Sequence, residues 1–325
     1  MAFEVILVHY WDTSNGGMTG VIQILSFFRM LAVPIFMLMS FILVGKYIIE
    51  GRNIRKRFNR LLVPHVGWAI IYFFILIVTD IMEWTKWGVG PKDLILQILT
   101  GESPRLCPQL WYQEVLIFLT ALFYIVYHYF SKKKAMMITC LLMLYGIFMQ
   151  YSGINYLLFS GLPYEAMYIL GRTLEMLPYA FWGIVFAEFL LMNRVSDNKF
   201  YILIIGLTVC ILLYNINFFV VCDKGFGYQG VNYIVMAIAT VITFMAIPET
   251  VIPSYIQHVI DNVARYTLGI YCIHWGIGKY LNLFFENVSI RTNTLRECVL
   301  IFIISLLISV FIERIPMKFC KKLVR

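Results

Sequence analysis

The stretch Ser26 to Trp68, SFFRMLAVPIFMLMSFILVGKYIIEGRNIRKRFNRLLVPHVGW, constrains this chain more than any other. Phe27 to Ile49 is apolar for longer than the roughly 20 residues a helix needs to cross a bilayer at about 1.5 Å per residue. Arg52, Arg55, Lys56, Arg57 and Arg60 then crowd into a short turn, and Leu61-Leu62-Val63-Pro64 opens a second apolar run. Two such runs around a basic turn describe a transmembrane hairpin. The turn is expected on the cytoplasmic side, where Lys and Arg are retained. Arg29, a charge inside the first run, is costly in hydrocarbon and so is a functional candidate.

Composition extends this reading to the whole chain. Hydrophobic residues make up 61% and charged residues 14% of the sequence, with a mean hydropathy of +0.80. These values exclude a soluble domain and point to a polytopic membrane protein. The net charge of +8 does not imply nucleic acid, because the basic residues sit in short turns between apolar runs. The seven cysteines are scattered without a CxxC, so neither a disulfide framework nor a metal site is expected. No signal peptide is expected, since the chain enters an apolar run without a basic leader.

Met1 to Tyr10 is apolar but too short to span, and a glycine-rich loop from Ser14 to Gly20 follows. The segment reads as the outer half of a first helix that is truncated at its inner half. Fuller apolar runs lie at 27–49, 61–82, 109–130, 135–151, 171–192, 200–221, 231–248, 266–286 and 298–315. The expected fold is an all-α polytopic membrane protein of about ten transmembrane helices, forming a single integral-membrane domain over 1–325. Alternating sides from the basic turn puts Lys132, Lys133, Lys134, Arg194, Lys199, Arg265 and the basic tail inside, so both termini are expected in the cytoplasm. The outer loop 83–108, with Trp84, Trp87, Pro91, Pro104 and Pro108, is long enough to fold over the outer mouth. Pro253 to Arg265 is amphipathic and expected along the interface. No internal repeat is visible.

Ionisable groups within these runs are the site candidates. His9 and Arg29 fall at similar depth near the outer ends of the first two helices. Glu114 is one turn into its helix from outside. Arg172 and Glu175 lie three apart, a spacing that lets them pair on one helical face. His274 is eight residues into its run, about 12 Å deep. Each has a plainer reading. Arg29 can snorkel to headgroups, Arg172 and Glu175 can be a structural pair, and His9 can be interfacial. His274 can be a satisfied core group, and the basic turn can be a topology signal alone. His65, His128 and His258 fall at helix ends or in the interfacial segment and receive no role.

Several stretches together resemble the bacterial integral-membrane acyltransferase family 3, whose members O-acylate cell-surface glycans. His9 in VILVHY is similar to the family's first-helix histidine. Arg29 to Leu43, RMLAVPIFMLMSFIL, is similar to its run of Arg, Val-Pro, Phe-Phe and Ser-Gly-Phe. Arg57 to Pro64, RFNRLLVP, resembles its basic turn before Ile/Leu-Pro. Leu110-Trp111-Tyr112 matches its Leu-Trp-Tyr/Phe, and Tyr266 to His274, YTLGIYCIH, resembles its Ser-x-Gly-Ile-Tyr-Leu-x-His. Two departures stand out. The family's basic residue eleven positions before the histidine would precede Met1, and its Ser-Gly-Phe is here Ser40-Phe41.

The resemblance implies acyl transfer from a cytoplasmic acyl-CoA, with acetyl-CoA expected, to a hydroxyl of a cell-envelope or exported glycan. The bacterial cytoplasmic membrane is the implied location. Acyl-CoA and a carbohydrate would be co-substrates, with no bound cofactor, and the sequence leaves the oligomeric state undetermined. On this reading Arg57 and Arg60 hold the CoA phosphates with their planar forks. His9 acts as general base, since imidazole titrates near neutral pH. Arg29 or His274 stabilises the oxyanion or orients the acceptor. Glu114, by its depth alone, and Arg172 with Glu175 are the candidates to hold the glycan. The competing reading is a transporter or exporter of a small polar metabolite or glycan intermediate, which a polar layer would also serve.

Overall fold

The computed structural model describes residues 2–10, 20–81, 88, 90–101, 107–152, 164–191, 206, 209, 231–246, 252–287 and 295–324. The described residues are helical, with no strand among them. In chain order the helices are α1 (Ala2–Tyr10), α2 (Gly20–Ile49), α3 (Arg55–Ile81), α4 (Pro91–Thr100), α5 (Trp111–Tyr129), α6 (Lys132–Ser152) and α7 (Tyr164–Leu191). They continue as α8 (Val231–Ala246), α9 (Ser254–Ala264), α10 (Thr267–Asn287), α11 (Leu295–Arg314) and α12 (Lys318–Val324). A 3₁₀ turn, Pro108–Leu110, leads into α5.

Among the described residues, four helical stretches are long and apolar enough to cross a membrane: Leu31–Ile49, Arg55–Asp80, Pro108–Tyr129 and Leu295–Arg314. The runs expected at 135–151, 171–192, 231–248 and 266–286 also form helices, namely α6, α7, α8 and α10. The run expected at 200–221 lies outside the described residues apart from 206 and 209. Some helix boundaries differ from the expected runs. Helix α2 starts at Gly20, because Val21, Ile22, Ile24 and Leu25 carry its apolar character past Gln23 and Ser26. Helix α3 absorbs the basic turn from Arg55 onward, and Asn53 Oδ1 receives the Arg55 N–H at 2.8 Å. Cations at a helix N-terminus oppose the helix dipole, so this placement is not one that helix electrostatics alone would select.

The expected outer loop contains a helix, α4. Pro91 fits its first position, where no N–H is needed. The Gly90 N–H donates to Asp93 Oδ2 at 2.9 Å. Gly101 ends it at φ 68°, and a Cβ there would lie 2.6 Å from Glu114 Cβ and 2.9 Å from Trp111 Cα. A left-handed glycine therefore folds α4 back against the start of α5. The expected interfacial segment is α9, and none of its residues is buried.

The chain divides into two compact units. The first comprises 1–29, 58–114 and 254–325. Its core joins α1 to α10 and α11 through Ile6, Leu7, Tyr10, Ile270, Cys298 and Ile301, with Phe3 edge-on to Phe302 at 5.6 Å. Helix α12 buries Cys320, Leu323 and Val324, and Trp68 donates its indole N–H to the Leu323 carbonyl at 2.9 Å. The second unit comprises 30–57 and 115–253. In it α2 meets α5 through Phe41 and Phe123, ring centroids 5.3 Å apart. Helix α2 also meets α7 where Gly183 leaves no room for a Cβ, which would stand 2.5 Å from that of Phe41. Small residues at such crossings let helices approach where lipid offers no hydrophobic drive.

Candidate active site

The site candidate in the first unit is built on α10, sequence TLGIYCIHWGIGKY over Thr267 to Tyr280. Three polar side chains from elsewhere in that unit engage its backbone around His274. Tyr10 of α1 donates its hydroxyl to the Trp275 carbonyl at 2.7 Å. Tyr72 of α3 donates to the Cys272 carbonyl at 2.7 Å and accepts the Gly276 N–H at 3.2 Å. Its hydroxyl thus bridges the donor and acceptor of one helical rung, a recognised cause of helix distortion. Gln109 donates its amide to the Cys272 carbonyl at 3.2 Å, and the Tyr271 hydroxyl donates to the Gln109 carbonyl. Gly276 admits Tyr72, since a Cβ there would lie 2.7 Å from the tyrosine ring.

These contacts fix the stretch that carries His274, which is fully buried. Its Nδ1 lies 2.6 Å from the Tyr271 carbonyl oxygen and 3.3 Å from that of Ile270. A carbonyl only accepts, so Nδ1 carries the proton and the neutral ring leaves Nε2 as a lone-pair acceptor. Among the described residues, Nε2 is buried without a hydrogen-bond partner. The His9 and His274 rings pack against each other, with centroids 5.5 Å apart and planes tilted at 34°. His9 itself is exposed, while its neighbours Leu7 and Tyr10 are buried in the α1–α10–α11 core. Two histidines are therefore side by side, one open and one enclosed. Tyr10 and Tyr271 complete the ring cluster, at 6.5 Å and 5.9 Å from His274.

The other candidates are distributed as follows. Arg29 lies on α2, and its side chain falls outside the described residues. Arg57 is half-buried and Arg60 exposed, both within the first two turns of α3. Glu114 faces His65, whose Nε2 lies 3.3 Å from Glu114 Oε2 and 3.2 Å from the Ile98 carbonyl of α4. Arg172 and Glu175 pair as their spacing predicts, Nη1 to Oε2 at 2.8 Å, with the guanidinium 5.0 Å from the Tyr168 ring centre. They lie in the third and fourth turns of α7, within the second unit, and not at a helix end.

Sequence reasoning passed over His65, Tyr72, Gln109 and Gln113. His65 looked terminal because the apolar run starts at Leu61, but α3 begins at Arg55 and the buried imidazole sits ten residues in. Gln109 and Gln113 are buried, four apart, and both point amides at Cys272, at its carbonyl and its sulfur. A polar i,i+4 pair at the head of an apolar run was the available signal.

Helices of crossing length with large apolar residues exposed along them, among them Phe74, Leu307 and Phe311, define a helical membrane protein. The family model for the acyltransferase domain, acyltransferase family 3, matches residues 2–314. The chain belongs to this family, whose reaction class is acyl transfer. No curated protein and no solved structure matches it.

Proposed function

We propose that this protein moves an acyl group, acetyl in the first instance, from cytoplasmic acyl-CoA to a hydroxyl of a cell-envelope or exported glycan. The observation that carries this reading is the open His9 against the enclosed His274 in a chain of acyltransferase membership. In the proposed reaction the acceptor hydroxyl gives its proton to His9 as its oxygen attacks the thioester carbonyl. The tetrahedral oxyanion collapses, the carbon–sulfur bond breaks, and the CoA thiolate takes the proton from the His9 imidazolium. The products are an O-acyl ester and free CoA.

The remaining roles follow from charge and chemistry. Arg57 and Arg60 suit the CoA phosphates, because guanidinium forks match phosphate oxygens. Arg29 is the better oxyanion partner, since neutral His274 commits its only N–H to a backbone carbonyl and has none to give at Nε2. Glu114 in the first unit, and separately Arg172 with Glu175 in the second, offer charged and hydrogen-bonding groups of the kind that suit a sugar. Basic turns at 50–60 and 132–134 favour a cytoplasmic side for both, hence about ten crossings of the bacterial inner membrane with cytoplasmic termini. Continuity of the family match over 2–314 favours one acyltransferase domain over 1–325.

The test is purified protein in lipid nanodiscs with acetyl-CoA and a candidate glycan. Release of CoA that depends on the glycan, with acetate recovered as ester, supports the reading. Glycan counterflow without thioester cleavage would replace it with a transporter.

A further inference from the structure

We infer that His274 is the positioning residue for His9, accepting a hydrogen bond from the His9 ring through Nε2 and so fixing which His9 nitrogen meets the acceptor hydroxyl. The inference rests on the reading of His9 as general base and says how that base is held.

The enclosed ring is the starting point. Most buried side-chain polar atoms have a hydrogen-bond partner, because an unpaired polar atom away from water is penalised. His274 satisfies one nitrogen and leaves the other bare. The bare atom is the acceptor, so the site calls for a donor. The hydroxyls nearby have given their protons elsewhere: Tyr10 to Trp275, Tyr72 to Cys272 and Tyr271 to Gln109. Of the rings that pack on His274, His9 is the one with an N–H to offer, at a centroid separation of 5.5 Å. At that separation a nitrogen of each ring can come within hydrogen-bond reach of the other.

The consequence is a directed chain. His9 gives its N–H to His274 Nε2, and His274 gives its own to the Tyr271 carbonyl. The opposite nitrogen of His9 then carries a lone pair on the ring's exposed side. When that nitrogen takes the acceptor's proton, His9 becomes a cation and its bond to His274 becomes charge-assisted. The interaction is stronger in the transition state than before it, which is the condition for raising kcat. His274 stays neutral throughout and touches no substrate. The arrangement also gives α10 a reason for its clamps: Tyr10, Tyr72 and Gln109 hold the carbonyl-bearing backbone on which the ring's tautomer depends.

Histidine ring-nitrogen NMR on the full chain in nanodiscs tests the tautomer without any turnover. The signal absent from His274→Phe is expected to report a protonated Nδ1 and a bare Nε2. A protonated Nε2 overturns the inference, and the His274→Gln spectrum supplies the same assignment if the phenylalanine variant fails to fold. Kinetics supply the second arm. His274→Phe keeps a flat aromatic ring without a ring nitrogen and should lower kcat roughly tenfold to hundredfold, the reach of one hydrogen bond to a charged group, with both KM values unchanged. His274→Gln, whose amide oxygen can accept, should recover part of the loss. Full activity in His274→Phe beside an inactive His9→Ala sinks the positioning role and leaves the base in place. An active His9→Ala removes the base, and the positioning role goes with it.

Discussion

Replacing Gly276 by alanine probes how α10 is held, because the structure makes its effect depend on one partner. The new Cβ would stand 2.7 Å from Tyr72 Cε1 and 2.9 Å from its hydroxyl oxygen. The hydroxyl is tied to the Cys272 carbonyl and the ring is buried beside Trp68 and Trp275, so it has little freedom to yield. Overpacking of this kind costs about 1–3 kcal/mol. Alanine in place of glycine inside a helix would by itself gain about 0.5–1 kcal/mol. In wild type the collision wins, and Gly276→Ala should be destabilising by roughly 1–2 kcal/mol. In a Tyr72→Ala background the collision is gone, so the same change should be neutral or stabilising by up to about 1 kcal/mol. Reversible denaturation of the four proteins in mixed micelles gives the coupling energy directly. Additive effects across the cycle would refute the insertion of the Tyr72 hydroxyl against α10.

Further outcomes follow from other parts of the molecule. Gly101→Ala should lower the melting temperature markedly, because its φ of 68° strains any L side chain and its Cβ would meet Trp111 backbone at 2.9 Å; an unchanged melting temperature would disconnect α4 from α5. Arg57→Ala and Arg60→Ala should each raise the donor KM by the equivalent of about 1.5–3 kcal/mol, with lysine rescuing only in part; unaltered donor kinetics in well-expressed protein would reduce the turn to a topology signal. Single cysteines at Asn53 and Ser131 of a cysteine-free chain should resist an impermeant thiol reagent in intact cells, and strong labelling at both would invert the orientation.

The long apolar runs were legible because a bilayer admits few alternatives to a continuous helix. Their ends were less so. Arg55 to Arg60 reads as a turn by charge, yet the backbone there is helical, since helix formation tolerates exposed arginine. Helix α4 was hidden because ten residues between tryptophans and prolines carry no crossing signal. What places it is tertiary: the left-handed Gly101 against Glu114, and Ile98 against His65. At the site, His9 and His274 were each visible as ionisable groups in apolar runs, and Arg172 with Glu175 as a helical pair. The meeting of the two histidines was not visible, because residues 9 and 274 are joined only through the packing of α1 on α10. Nor was the tautomer, which depends on where a single carbonyl falls. Tyr72, Gln109 and Gln113 carry no charge, so a search for charge in the membrane passed them by.

The most direct measurement of the central claim is acetyl transfer by His9→Ala, assayed as glycan-dependent CoA release with donor binding measured in parallel. A general base contributes about 10²–10⁴-fold. The variant should therefore lose at least about 10²-fold in kcat while binding acetyl-CoA as wild type does. Retention of more than about a tenth of the wild-type rate would contradict proton abstraction by His9.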